Sequence, residues 1–137
     1  SLLALAVVFA AGFVAGQAFR TDVSAQGNKV YELRTYTTHP GKLGDLNTRF
    51  RDHTLRLFEK HGMTNIGYWV PQDEPAHSNT LVYVVSHDSR AAADKNWAGF
   101  NADPEWHKVR AASEANGKIV EKVDRVYMDA TDYSKLK

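Results

Sequence analysis

Apolar and polar positions repeat with two periods along this chain. Residues 30–37 are rich in Tyr, Thr and Val, which favours a strand that ends at His39-Pro40-Gly41. From residue 42 to residue 61 apolar side chains recur every three or four positions, which predicts an amphipathic helix ending at Gly62. The first third of the domain is therefore predicted to be a strand followed by a helix.

The later pattern predicts two strands, a helical region and a last strand. The three strands are predicted at residues 63–71, 80–87 and 118–128. Asp88 or Ser89 can cap a helix that runs to Phe100, and Asp103-Pro104 can start a second helical segment. The order β-α-β-β-α-β is typical of an α+β, ferredoxin-like domain, an antiparallel sheet with both helices on one face.

The N-terminal segment differs from the domain. Residues 2–15 are fourteen apolar residues without a charge, which suits the hydrophobic region of a signal peptide. Cleavage after Ala18 or Ala25 is expected, and an uncleaved membrane anchor is the alternative. We therefore assign residues 1–25 to targeting and residues 28–137 to the domain. The domain is expected to be exported, either periplasmic or secreted, or membrane-anchored if the segment is retained.

Composition excludes several classes of function. Seventeen basic and sixteen acidic residues give a net charge of +1, so nothing favours nucleic acid as a partner. The absence of cysteine excludes disulfides and thiolate chemistry. The six histidines show no metal-ligand spacing, so no metal is expected. No cofactor is expected either, although haem stays open because one axial histidine suffices.

One face of the predicted sheet is left without helices. Alternation on the first strand puts Glu32, Arg34 and Tyr36 on one side. We expect these residues, together with Trp69 and Tyr83, to lie on the side away from the helices. That surface is too apolar to face water and too charged for an ordinary core. A second copy of the sheet packed over it would form a two-fold dimer that encloses a cavity.

The cavity candidates allow functional and structural interpretations. Arg34 can anchor an acidic or carbonyl ligand, with Glu32 orienting it or acting as a base, or the two can be a structural ion pair. His53 lies at the edge of the helical stripe and can reach the end of the sheet or simply bond to solvent. Trp106 can be a core residue or can close one end of the cavity. No motif identifies a catalytic residue.

Five sequence pieces, in order, resemble the NIPSNAP domain. They are VYELRTYT with PGK after it, GYWVP, LVYVVSHDS, FNADPEW and the tail TDYSKLK. The resemblance covers residues 29–137, and the tail departs from it at Ala130 and Lys135, where the family often has Pro. It implies a homodimeric α+β barrel. Proteins that share only this barrel include cofactor-free monooxygenases, isomerases and haem-handling enzymes.

Three functions are consistent with these patterns. The first is an exported homodimer that binds a small, partly apolar ligand in its barrel. The second is an enzyme, a cofactor-independent monooxygenase or isomerase that uses Arg34, Glu32 and a Tyr or His of the cavity. The third is a protein-interaction module whose barrel is purely structural.

Overall fold

The computed structural model describes residues 29–137, which form a four-stranded sheet and a layer of helices. The strands are β1 (Val30–Thr38), β2 (Thr64–Trp69), β3 (Thr80–His87) and β4 (Val120–Asp129). The α-helices are α1 (Leu43–Arg49), α2 (Leu55–Lys60), the short α3 (Ala76–Asn79), α4 (Arg90–Ala102) and α5 (Pro104–Ser113). None of the helices in residues 29–137 is long and apolar enough to cross a membrane. The predicted targeting segment, residues 1–25, lies outside the described residues.

The sheet confirms the predicted fold class. Its strand order is β2-β3-β1-β4, and each neighbouring pair is antiparallel. The helices following β1 and β3 each connect strands that are not neighbours, as the β-α-β-β-α-β order of a ferredoxin-like domain requires. The two central strands are β1 and β3, so residues at the middle of β1 lie at the centre of the sheet.

The first long helix contains a π-helical turn. Residues Phe50–Thr54 adopt this turn between α1 and α2, so the helix is continuous but carries one wider turn. The Thr54 hydroxyl donates to the Arg49 carbonyl at 3.2 Å, across the wider turn. A π-turn in an α-helix rotates the side chains that follow it and is frequent at functional sites. Here both Arg49 and Phe50 are buried beside it.

Aromatic side chains fill the layer between sheet and helices. Tyr83 and Phe58 are almost wholly buried and pack against Phe50 and Phe100 with ring centroids 5.0 to 5.9 Å apart. Burial of such large rings is a major source of stability in a domain of this size. β4 is different, because most of its residues are exposed on both faces. The helices therefore leave the sheet open along this edge.

Both predicted helix caps of the α4–α5 region are present. The Ser89 side chain accepts a hydrogen bond from the Ala92 amide at 3.0 Å, and Asp103 accepts one from the Glu105 amide at 2.8 Å. Asp103 also binds Lys60 and His61, each at 2.7 Å. These bonds from Lys60, His61 and the Glu105 amide hold the pKa of Asp103 well below its usual range. Asp103 therefore fixes both the start of α5 and its contact with the end of α2.

The predicted position of the first-strand polar residues was wrong. Arg34 pairs with Tyr83 and Glu32 with Val85, residues whose side chains lie in the helix-covered core. Glu32, Arg34, Tyr36 and Tyr83 therefore face the helices. Trp69 pairs with Val82 on the opposite face and is 54% exposed. A bulge between Asn65 and Gly67 interrupts the alternation of β2.

Candidate functional site

A buried ion pair lies at the centre of the sheet, on the side of the helices. Arg34 Nε donates to Glu32 Oε2 at 2.5 Å, and Trp97 Nε1 donates to Glu32 Oε1 at 2.7 Å. Burial alone would raise the pKa of Glu32, but its contacts with His87, Arg34 and Trp97 outweigh this and hold the pKa at about 2. Glu32 is thus a fixed carboxylate, although it is completely buried.

Arg34 is held on three sides. Its guanidinium carbon lies 3.6 Å from the centroid of the Trp97 ring, and its Nη1 donates to the Tyr36 hydroxyl at 3.2 Å. Burial lowers the pKa of Arg34, but Tyr36, Tyr83 and Glu32 raise it by more, so the residue remains cationic. Stacking on an indole and a charge-assisted bond to a carboxylate are both contacts that a guanidinium makes better than an ammonium.

Two tyrosines continue the network into the core. The hydroxyls of Tyr83 and Tyr36 are 3.0 Å apart, and their rings meet edge to face at 5.2 Å. On its other side Tyr83 stacks on Tyr68 at 5.2 Å. Burial raises the pKa of Tyr83 well above its ordinary value, so this hydroxyl stays protonated. Tyr36 is the member of the pair that reaches the surface of the site.

His87 approaches the same carboxylate from behind. It is 1% exposed, and Asn96 Nδ2 lies 3.1 Å from its Nδ1. Because an amide nitrogen only donates, Nδ1 accepts and the ring proton is on Nε2. Nε2 is 3.4 Å from Glu32 Oε1, yet it has no hydrogen bond of acceptable alignment within residues 29–137. His87 therefore lies against Glu32 within the core and not at the surface.

The network opens into a cleft between β1, β4 and the helices α4 and α5. The cleft has a volume of about 370 Å³. Arg34, Tyr36 and Trp97 lie at its base, and Trp106 and Arg49 form part of its wall. Five basic residues but only two acidic ones line it, so the cleft favours an anion. It exists because β4 is not covered by the helices.

Arg49 forms a second arginine–tryptophan pair in the wall. Its guanidinium carbon is 5.1 Å from the centroid of the Trp106 ring, and its Nη1 donates to the Ser113 hydroxyl at 3.2 Å. The side chain is only 4% exposed, and its Nε has no hydrogen-bond partner within residues 29–137. Burial lowers the pKa of Arg49, against the raising effect of Glu114.

The predicted cavity residues divide into three groups. Glu32, Arg34, Tyr36 and Tyr83 do come together, but between the sheet and the helices of one chain and not in a space closed by a second sheet. Trp106 lines the same cleft and also packs on Phe100 at 4.6 Å. Trp69 lies on the other face of the sheet. His53 is exposed and lines a separate groove between the first helix and α5.

Sequence reasoning missed Trp97 and Arg49 as site residues. Arg49 had a detectable signal, because it interrupts the apolar stripe one helical turn after Leu46. Trp97 lies within the predicted helix that ends at Phe100, but no sequence pattern shows that its N–H meets a carboxylate. Among residues 29–137, no group of histidines and carboxylates has the arrangement of a metal site.

The fold and cleft define a ferredoxin-like α+β domain with a buried arginine at the base of a sheet–helix cleft. The chain matches the model of the NIPSNAP family over residues 31–135, and it belongs to that family. Comparison with curated proteins finds no match.

Solved structures show the same fold. A NIPSNAP family protein of unknown function from Agrobacterium tumefaciens is 20% identical, with a TM-score of 0.69 over 82% of this chain and 96% of that chain. A NIPSNAP-like domain protein from Burkholderia xenovorans is 16% identical, with a TM-score of 0.68 over 78% and 89%. SnoaB, a cofactor-independent oxygenase from Streptomyces nogalater, is 13% identical, with a TM-score of 0.54 over 80% and 99%. At these identities the likeness concerns the fold alone.

Proposed function

We propose that this chain binds a small, anionic, partly aromatic ligand in the cleft between its sheet and α4 and α5. The observation that carries the proposal is the state of Arg34. Only its Nε and one Nη1 hydrogen are used by the protein within residues 29–137, so the remaining donors of its five N–H groups are available. A charged donor set that is pre-positioned and partly buried is costly unless it meets an acceptor.

The cleft wall restricts the class of ligand. Trp97, Trp106 and Phe100 offer aromatic surface, while Arg34 and Arg49 offer positive charge. A planar conjugated carboxylate, or the enolate of a conjugated carbonyl compound, matches both properties. The proposal keeps the first sequence-based function, a partly apolar ligand, but moves the site from the barrel between two sheets to a cleft within one chain.

Enzymatic turnover is the second candidate, and the same arginine supports it. Arg34 and Tyr36 present adjacent donors to the cleft, an arrangement that stabilises a developing enolate oxygen. SnoaB shares the fold and is a cofactor-independent oxygenase. Glu32 does not suit the role of base, because it is fully buried behind Arg34 and its pKa is about 2. In this function Glu32 would orient Arg34.

We also propose that a second copy covers the outer face of the sheet. Trp69 and Val126 are 54% and 53% exposed there, beside an apolar groove of about 340 Å³ that is lined by Val84, Met128 and Leu136. Exposed apolar surface of this kind favours association. Replacing Val126 with Lys should yield monomers in native mass spectrometry. Val123 to Lys, on the same strand but the other face, should leave the dimer intact. A wild-type monomer would reject this part of the proposal.

Export rests on residues 2–15 alone and remains part of the proposal. Fractionation of cells that express the full chain, with N-terminal sequencing of the recovered protein, tests it directly. Recovery from the exported fraction with a new N-terminus near residue 19 or 26 would support cleavage. An uncut chain in the membrane fraction would support an anchor instead, and an uncut chain in the cytoplasm would reject export.

The binding proposal is tested first by native mass spectrometry of the protein as recovered from cells. Extra mass that disappears on denaturation identifies a ligand or a cofactor, including haem. Calorimetric titration with cinnamate, a planar conjugated carboxylate, then measures affinity in the wild type and in the Arg34→Ala and Arg51→Ala variants. Arg51 is exposed and is the matched control. The proposed function would be rejected if the wild type and Arg34→Ala bound cinnamate with equal affinity. It would also be rejected if the wild type bound neither cinnamate nor any retained ligand.

A further inference from the structure

We propose that the hydroxyl hydrogen of Tyr36 is the cleft's selective hydrogen-bond donor. This inference rests on the proposed function and deepens it. A ligand must place one oxygen acceptor against both Tyr36 and Arg34. That oxygen can belong to a carboxylate, a conjugated carbonyl or an enolate. Its basis is the direction in which the polar hydrogens of Tyr83, Arg34 and Tyr36 point.

The hydroxyl hydrogen of Tyr83 has one available acceptor among residues 29–137. Tyr83 is completely buried, and Phe50, Phe58 and Tyr68 pack around its ring. Within residues 29–137 its hydroxyl bonds only to the Tyr36 hydroxyl, at 3.0 Å. If Tyr36 donated in this pair, the Tyr83 hydrogen would be buried without an acceptor, which is unfavourable. Tyr83 is therefore the donor and Tyr36 the acceptor.

Arg34 also donates to the hydroxyl oxygen of Tyr36. Its Nη1 donates to the Tyr36 hydroxyl at 3.2 Å, and a guanidinium cannot accept. Because Tyr83 and Arg34 both donate to this oxygen, neither of them accepts the hydrogen of Tyr36. The hydrogen of Tyr36 has no acceptor within residues 29–137.

The remaining direction is the cleft. Tyr36 is half-buried, and it lines the cleft beside Arg34 and Trp97. The hydroxyl hydrogen of Tyr36 and the free N–H groups of Arg34 therefore point into the same part of the cleft. Two donors without an adjacent acceptor disfavour ammonium groups and favour an oxygen that carries full or partial negative charge. Arg34 thus selects for negative charge, and Tyr36 requires in addition that the ligand carry a hydrogen-bond acceptor at a fixed position.

Three probes of one skeleton separate charge from acceptor chemistry. Cinnamate carries a carboxylate, cinnamamide a neutral carbonyl, and cinnamyl alcohol neither. Calorimetric titration of the wild type should give affinities in that order. Tyr36→Phe should weaken cinnamate and cinnamamide by about ten- to a hundredfold, the usual range for losing one bond to a charged or strong acceptor. Cinnamyl alcohol offers only a hydroxyl, a weaker acceptor, so its affinity should fall by less.

Tyr36→Phe alone leaves the Tyr83 hydroxyl without a partner, so instability could be mistaken for lost recognition. The double variant Tyr36→Phe/Tyr83→Phe removes both hydroxyls and should recover stability relative to Tyr36→Phe, while binding cinnamate as weakly. Tyr83→Phe alone keeps the Tyr36 hydrogen and should bind within about threefold of the wild type.

The outcomes separate the two proposals. The donor role is overturned if Tyr36→Phe binds cinnamate with wild-type affinity. It is also overturned if Tyr83→Phe loses as much affinity as Tyr36→Phe. Either result leaves the proposed function standing. Failure of the wild type to prefer cinnamate to cinnamyl alcohol overturns both. The double variant binding as the wild type does would show that Tyr36 acts only by packing.

Discussion

The guanidinium carbon of Arg34 lies 3.6 Å from the centroid of the Trp97 ring, and the N–H of that same indole donates to the Glu32 carboxylate that holds the arginine. One side chain from α4 therefore supports both partners of an ion pair on β1. This relationship explains how a Glu–Arg pair persists in the core of a small domain, since neither charge lacks a polar partner. It also makes Arg34 rigid, which favours binding because little rotamer entropy remains to be lost.

Lysine should fail at position 34 although it keeps the charge. An ammonium cannot bind Glu32, Tyr36 and the Trp97 face together. We expect Arg34→Lys to lose cinnamate binding by at least about tenfold and to lower the free energy of unfolding by about 2–4 kcal/mol. Urea denaturation and calorimetric titration measure the two effects, with Arg51→Lys as control. Retention of wild-type affinity would show that charge alone suffices.

Glu32 should make folding stability dependent on acid pH. Its pKa is 4.5 ordinarily and about 2 in the fold, so the unfolded chain takes up the proton first as pH falls. The stabilisation is present above pH 4.5 and is lost as pH falls toward 2, with a size of about 3 kcal/mol. Denaturant unfolding at several pH values should show a shallower loss in Glu32→Gln. A residual slope is expected from Asp103 and Glu105, whose pKa values are also lowered. An unchanged slope would contradict the prediction.

Trp97 should be more important for stability than Trp69. Trp97→Phe removes the N–H that binds Glu32 and the larger ring beneath Arg34, so we expect a loss of about 2–3 kcal/mol. Trp69→Phe, at a position 54% exposed, should change stability by less than about 0.5 kcal/mol. Urea denaturation at equal protein concentration compares them. Equal effects would mean that the indole N–H contributes little.

The Asp103 cap should stabilise the start of α5. Asp103→Ala removes the bond from the Glu105 amide and the contacts with Lys60 and His61, so we expect a loss of at least about 1 kcal/mol. Among residues 29–137, Asp94 binds only Arg90, on the exposed face of α4, and Asp94→Ala should cost less than about 0.5 kcal/mol. Thermal denaturation of the two variants provides the comparison, and equal melting temperatures would contradict it.

The sequence predicted the elements well because their signals are local. The Asp103-Pro104 helix start, the strand alternation of residues 30–37 and the glycine end of the first helix each depend on neighbouring residues. Neighbouring residues do not determine the side of the sheet on which Glu32 and Arg34 lie. Two charges on a strand normally indicate the solvent or interface side, and the opposite outcome depends on Trp97, which is distant along the chain. The bulge in β2 and the π-helical turn at Phe50–Thr54 likewise have no pattern that marks them beforehand.

The position of the cleft on the helix side of the sheet has a consequence for titration experiments. All of its residues described above come from one chain, so every copy carries a complete site. A ligand that fills one copy does not touch the outer face of the sheet, where a second copy is proposed to pack. We therefore expect one ligand per chain, a hyperbolic isotherm, and the same affinity whether the protein is dilute or concentrated.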